Sequence, residues 1–380
     1  MNSVQFDTLP CADGKAIGVA TLNNPAILNA LTLEMIERLD AQLDEWARDD
    51  RIVCVLLKGA GDRAFCAGGD VRSLRAALID GPKADPHPFT TRLFTAEYTL
   101  DYRIHTYEKP LIVWGHGIVM GGGLGLLAGA RYRVLTPQSR LAMPEISIGL
   151  YPDVGGSWFL PRMPGRLGLF LALTGAALTA EDALFTGLGD YILHHAQLTE
   201  LTVRLTENHW SPDPDGRHAQ VGAWLAAMET HSAEPAPIIA RLDTVRRLMM
   251  LPSLNGIAQA FAENGFEDSW LAEAAHNFLA GSPTTAALCW AIFPRARHLS
   301  LAEVFRLELI LSVNLCARPD FTEGVRALLV DKDRTPNWCR GLADIDDAWI
   351  DSLFHSPWPQ NAHPLAELER VTGNAGRRQQ

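Results

Sequence analysis

A chain of 380 residues, 47% hydrophobic and 20% charged, is too long for one small core and fits a soluble globular protein with one large domain and a substantial second region. The net charge of −11 argues against a nucleic-acid surface, although a small basic pocket for a phosphorylated ligand stays open, so the expected partner is a small molecule. Six scattered cysteines show no CxxC pair and no His at metal-ligand spacing, so reduced, mostly buried thiols are expected and a metal site is not.

Met1 to Pro10 carry neither a basic n-region nor an apolar h-region, and no stretch approaches the ~18 apolar residues needed to span a bilayer. The expectation is a cytoplasmic protein without a membrane partner, with a homo-oligomer left open. Lys15 to Asn23 alternates as a strand until Asn24-Pro25 interrupts it. Leu33, Ile36, Leu39, Leu43 and Trp46 then recur at helical spacing, and Ile52 to Leu57 is an apolar run rich in Val and Ile, as in a buried strand. This is a β-α-β start. An aromatic-rich helical segment follows around Phe94 to Tyr107, then a strand at Leu111 to Gly115, a helix from Gly121 to Ala130 and a strand at Arg131 to Leu135. Alternation continues to about His195. Beyond it Leu198 to His231 is polar and helical, Ser232 to Pro237 reads as a linker, and Ile238 to Leu329 is mostly amphipathic helix. The expected organisation is a core over 1–195, a helical region over 196–365 and a tail over 366–380, since Arg370 to Gln380 has almost no large apolar residues.

Two glycine-rich segments carry the chemistry, Phe65-Cys66-Ala67-Gly68-Gly69-Asp70 and Met120-Gly121-Gly122-Gly123, with Pro144-Glu145 and Pro152-Asp153 after them. Glycine lets backbone N–H groups approach a ligand, and two such groups can hold one oxygen as charge builds on it. Gly123-Leu124-Gly125-Leu126-Leu127-Ala128 also matches the GxGxxA dinucleotide fingerprint, and close packing of a helix on a strand would need small residues too. Against the dinucleotide reading, His116 to Gly122 intervene between strand and glycines. Gly68-Gly69 stands between a strand and a helical run, where free helix N-terminal amides point outward.

Leu22-Asn23-Asn24-Pro25, Leu28-Asn29-Ala30-Leu31, Ala64 to Asp70, Gly117 to Gly123 and Met143 to Gly149 resemble the crotonase, or enoyl-CoA hydratase/isomerase, superfamily over residues 12 to about 195. Phe94 to Tyr98, Leu150 to Gly156, Ser282-Pro283-Thr284 and the distal Asp320 to Ala327, Asp331 to Asp333 and Pro336 to Trp338 are similar to its 3-hydroxyisobutyryl-CoA hydrolase branch. The resemblance implies an α/β fold, a crotonase-type ββα spiral core with an α-helical C-terminal region. It implies hydrolysis of a short 3-hydroxyacyl-CoA thioester, above all 3-hydroxyisobutyryl-CoA in valine breakdown, with no cofactor because CoA is part of the substrate.

By the same resemblance the Gly69 and Gly122 amides bind the thioester oxygen. Glu145 attacks the thioester or serves as base on water, two routes that sequence does not separate, and Asp153 orients that water or the substrate hydroxyl. Glu97 contacts the 3-hydroxyl. Ala30, Ala67, Arg72 and Lys332, with Arg326, are the expected CoA contacts, and Ala26 stands where many relatives carry a basic residue. Hydratases of the superfamily place a second glutamate at the position of Gly125. Its absence disfavours hydration, which remains the rival reaction, ahead of a non-catalytic acyl-CoA-binding protein. Outside the resemblance, Glu145 also reads as a helix-start capping carboxylate and Glu97 as a solvated face, and His116 reads as a packed histidine rather than a catalyst.

Overall fold

The computed structural model describes residues 3–230, 235–359 and 361–372. Residue 231, at the end of the expected polar helical stretch, residues 232–234 of the expected linker and 373–380 of the expected tail lie outside the described residues.

The strands are β1 (Val4–Pro10), β2 (Ala16–Leu22), β3 (Ile52–Gly59), β4 (Ala64–Cys66), β5 (Leu111–Gly115), β6 (Ile118–Met120), β7 (Tyr132–Leu135), β8 (Arg140–Ala142) and β9 (Tyr191–Ile192). Six form one sheet in the order β1-β2-β3-β5-β7-β9, and β4-β6-β8 form a second, three-stranded sheet. Only β1 runs antiparallel to its neighbour. The parallel strands of the large sheet are apolar on both faces because both are covered, which explains the unbroken run at Ile52–Leu57. On one face Ile17, Val53 and Trp114 pack under Leu201, Leu205, Val221 and Leu225; the other face belongs to the main core.

The strands alternate with α1 (Leu33–Arg48), α2 (Val71–Asp80), α3 (Pro88–His105), α4 (Gly122–Gly129), α5 (Gly156–Phe159), α6 (Leu167–Thr174) and α7 (Ala180–Thr186). In α1 the expected stripe is buried at Ile36, Leu39, Leu43 and Trp46, and the Thr32 side chain caps the helix by accepting from the Met35 N–H. After β9 the described elements are helical, beginning with α8 (Gln197–Glu207), α9 (Pro214–Met228), α10 (Ile238–Met249), α11 (Leu254–Glu263), α12 (Ser269–Ala280), α13 (Pro283–Ala296), α14 (Leu301–Cys316) and α15 (Pro319–Val325). Helix α14 lies against α3, where Phe305 sits between the rings of Tyr98 and Tyr102 at centroid distances of 5.7 and 6.3 Å. Among the described residues no helix is long and apolar enough to cross a membrane. Cys339 is exposed and the other five cysteines are buried, all unpaired.

Candidate active site

The three-stranded sheet builds the site. Cys66 pairs with Val119, and Met120 with Ala142, so the turns leaving the ends of β4, β6 and β8 emerge side by side, about 4.8 Å apart. They carry Gly68-Gly69, Gly121-Gly122 and Pro144-Glu145. Gly68 and Gly121 sit at φ +105° and +50°, where a side chain is strained. A Cβ at Gly122 would come 3.6 Å from the Gly69 nitrogen and 2.5 Å from Glu97 Oε1, and one at Gly121 would come 2.9 Å from Glu145 Oε1. Gly121 is required by its φ, and a side chain at either position would push a carboxylate oxygen aside. At Gly69 a Cβ would meet nothing within 4 Å, so that turn opens onto space.

Two amides there have no acceptor among the described residues. Gly122 begins α4, so its N–H has no acceptor inside the helix. The bridge between Leu31 and Gly69 uses the Gly68 carbonyl and the Asp70 N–H, each bonded at 2.8 Å, and leaves the Gly69 N–H outside the ladder.

Three carboxyl groups converge on these amides. Glu97 comes from α3, Glu145 opens a 3-10 turn over Glu145–Ile148, and Asp153 follows in the next loop. All three are buried and line one cavity of ≈ 540 Å³, together with Gly69, Gly122, Ala30, Ala67 and Arg72. Burial pushes Glu97 up to about 8, helped by the charge of Asp153. Burial also pushes Asp153 up to about 6, against the Tyr98 hydroxyl, which donates to Asp153 Oδ2 at 2.6 Å and holds it down. Glu145 is driven well above the usual carboxylate range by burial first, then by Asp153 and Glu97. Three acids in one enclosed volume cannot all ionise, and the Tyr98 bond makes Asp153 the readiest to carry charge. Glu145 Oε2 is buried without a hydrogen-bond partner among the described residues, as befits a group awaiting substrate.

The structure thus brings together the expected site residues except two basic ones, Lys332, which is exposed beyond the cavity at φ +60°, and Arg326. Arg326 is held by Glu323, Asp331 and Asp333. Leu328 and Leu329 line the cavity instead, and Arg72 donates to the Leu329 carbonyl at 2.6 Å. A surface cleft of ≈ 590 Å³ near Trp358 is slightly larger, but its Glu37 and Arg92 are paired with each other and it lacks the free amides. His116 bonds through Nε2 to the Gly61 carbonyl at 2.7 Å and packs on His195, so the packed reading holds for it.

At Gly125 a Cβ would come 2.6 Å from Val154 Cβ. Space for a side chain at this position is filled by the neighbouring loop. Tyr98, Asp101 and Glu308 were not singled out from sequence as site residues. Tyr98 lies beside Glu97 in a recognised segment, a usable signal; Asp101 and Glu308 look like ordinary helix acids, yet both are fully buried.

Residues 17–354 match the family model described as enoyl-CoA hydratase/isomerase, and the chain belongs to that family. Its fold is the crotonase-type ββα spiral with a helical C-terminal region. Among curated relatives, the zebrafish (Danio rerio) protein named 3-hydroxyisobutyryl-CoA hydrolase, mitochondrial, is 37% identical over 344 residues, 90% of this chain and 88% of its own. The human (Homo sapiens) protein of the same name is 35% identical over 331 residues, covering 84% and 81%. A solved carnitinyl-CoA dehydratase from Mycobacterium thermoresistibile superposes with TM-score 0.83 at 31% identity over 96% of this chain and 98% of its own. An enoyl-CoA hydratase from Rhodobacter sphaeroides 2.4.1 gives 0.81 at 32%, covering 93% and 98%. The relatives' names point to mitochondria and overturn the cytoplasmic expectation. That expectation rested on a missing apolar segment, which bears on secretory signals and does not identify a compartment.

Proposed function

We propose that the chain hydrolyses a short 3-hydroxyacyl-CoA thioester, 3-hydroxyisobutyryl-CoA before others, to the hydroxy acid and CoA, as valine breakdown requires. One observation carries the choice of reaction within the family. The second acid position of hydratases is Gly125, packed against Val154, while three other carboxyl groups face the glycine amides.

In this reading the thioester carbonyl oxygen lies between the Gly69 and Gly122 N–H groups. Attack at the carbonyl carbon moves its π electrons onto that oxygen, and the amides stabilise the charge as it forms, each contributing about 3 kcal/mol to the barrier. Glu145 either takes the proton of an attacking water or attacks directly to give a mixed anhydride that water then opens; CoA leaves as the thiolate and is protonated. Asp153, kept ionised by Tyr98, orients the water or the 3-hydroxyl, and Glu97 bonds that hydroxyl. Ala30, Ala67 and Arg72 flank the CoA arm.

The two solved structures are of a dehydratase and a hydratase, and that similarity favours hydration as a second reading. A panel of acyl-CoAs separates the two. Thiol release from 3-hydroxyisobutyryl-CoA with little loss of crotonyl-CoA absorbance supports hydrolysis; crotonyl-CoA hydration without thiol release refutes it.

A further inference from the structure

The loop that presents Asp153 is a strained turn in which the Gly156 N–H donates to the Asp153 carbonyl at 2.7 Å. Val154, a β-branched residue, sits at φ +50°, and Gly155 follows at φ +87°. Side chains branched at Cβ avoid this region, and such strain persists only where surrounding structure enforces it. The enforcing group is Glu308 of α14, remote in sequence and wholly buried. Its Oε2 accepts the Gly155 N–H at 2.8 Å and its Oε1 accepts the Ser157 N–H at 2.9 Å. One turn further along α14, Ser312 Oγ lies 2.6 Å from the Tyr98 hydroxyl, and the Glu308 backbone carbonyl accepts from Tyr151 at 2.9 Å. The same helix therefore grips the loop on both sides of Asp153 and backs the tyrosine that bonds it.

We infer that Glu308 is a positioning residue for the reaction, fixing the Asp153 turn through the Gly155 and Ser157 amides and making the C-terminal helices part of the catalytic apparatus. It does not line the cavity. Glutamine in its place keeps one acceptor but turns an NH₂ group toward the other backbone N–H, leaving a buried donor unpaired. The inference rests on the reading of Asp153 as a catalytic residue.

The test is a double-mutant cycle on the full chain with 3-hydroxyisobutyryl-CoA, scoring kcat, KM and Tm for Glu308→Gln, Asp153→Asn and the pair. Glu308→Gln is expected to lower kcat at least about 10-fold with KM changed less than about 3-fold, since displacement of a reacting group by ~1 Å costs up to two decades. In the pair the two losses should not multiply, because both act on one group. Ser157→Pro, which deletes one of the two donors in the first turn of α5, where proline is tolerated, should reproduce the kcat loss if Glu308→Gln fails to fold. Multiplying losses, or wild-type kcat in both Glu308→Gln and Ser157→Pro, would overturn the positioning role alone. Wild-type kcat in Asp153→Asn would remove its premise.

Discussion

The Tyr98 hydroxyl bridges two elements, donating to Asp153 Oδ2 at 2.6 Å while Ser312 Oγ lies 2.6 Å on its other side. A phenol has one proton to give, so with that proton on Asp153 it accepts from Ser312. The bond favours the ionised carboxylate in a place where burial opposes it.

Tyr98→Phe removes that donor and should lower kcat roughly 10- to 100-fold, the worth of ~1.5–3 kcal/mol for a hydrogen bond to a charged group. The sign on pH follows. Losing a bond that holds the Asp153 pKa down raises it, so the acidic limb of the kcat profile should move to higher pH in the variant. An unmoved limb would disconnect Tyr98 from the ionisation that matters.

In the wild-type enzyme the same limb should lie in the neutral range. Asp153 is pushed up to about 6, and Glu145, the base or nucleophile, is driven well above the usual carboxylate range, so activity that needs both ionised should fall as pH drops through neutrality. A limb near pH 4, where free carboxyls titrate, would show that the groups are not desolvated as described.

Stability should run the other way. Asp101 is fully buried on α3 with neither oxygen bonded among the described residues, and burial pushes its carboxyl well up, with Glu97 and Asp153 adding. A folded pKa above the unfolded one means stability is greatest at low pH and is lost as pH rises from the unfolded value toward the folded one, by at most ~1.4 kcal/mol per pH unit for one proton. Asp101→Asn should flatten the fall of Tm between pH 5 and 8. An unchanged slope would show that this group is not the source.

Gly122→Ala keeps the N–H but places a Cβ 2.5 Å from Glu97 Oε1, too close for that oxygen to stay where it is. Turnover should fall by up to roughly 100-fold from misplacement, more for 3-hydroxyacyl than for plain acyl-CoAs. An equal loss on both substrate classes would detach Glu97 from the hydroxyl.

Much of this architecture could be read from residues in chain order. The Ile52–Leu57 run, the α1 stripe and the two glycine turns were legible because each is a local pattern with one physical meaning. Strands β4, β6 and β8, three residues each, were not read as a sheet, since a segment that short carries no period. That sheet is what sets Gly69, Gly122 and Glu145 side by side. Glu97 and Asp153 were found through family segments, whereas Glu308 was missed because an acid in an amphipathic helix reads as solvated. Its burial is decided by a loop more than 150 residues away. Lys332 shows the converse, a basic residue placed at the ligand by resemblance that the fold leaves exposed to solvent.

Thiol release from 3-hydroxyisobutyryl-CoA by Glu145→Gln, measured in a single turnover beside ester binding, bears on all of this at once. The side chain keeps its size and its place against Gly121 but can neither take a proton nor attack. Release should slow by at least ~100-fold while the ester still binds within a few-fold of wild type. Near-wild-type release would show that Glu145 neither activates water nor attacks the thioester, and the hydrolytic site built around it would have to be abandoned.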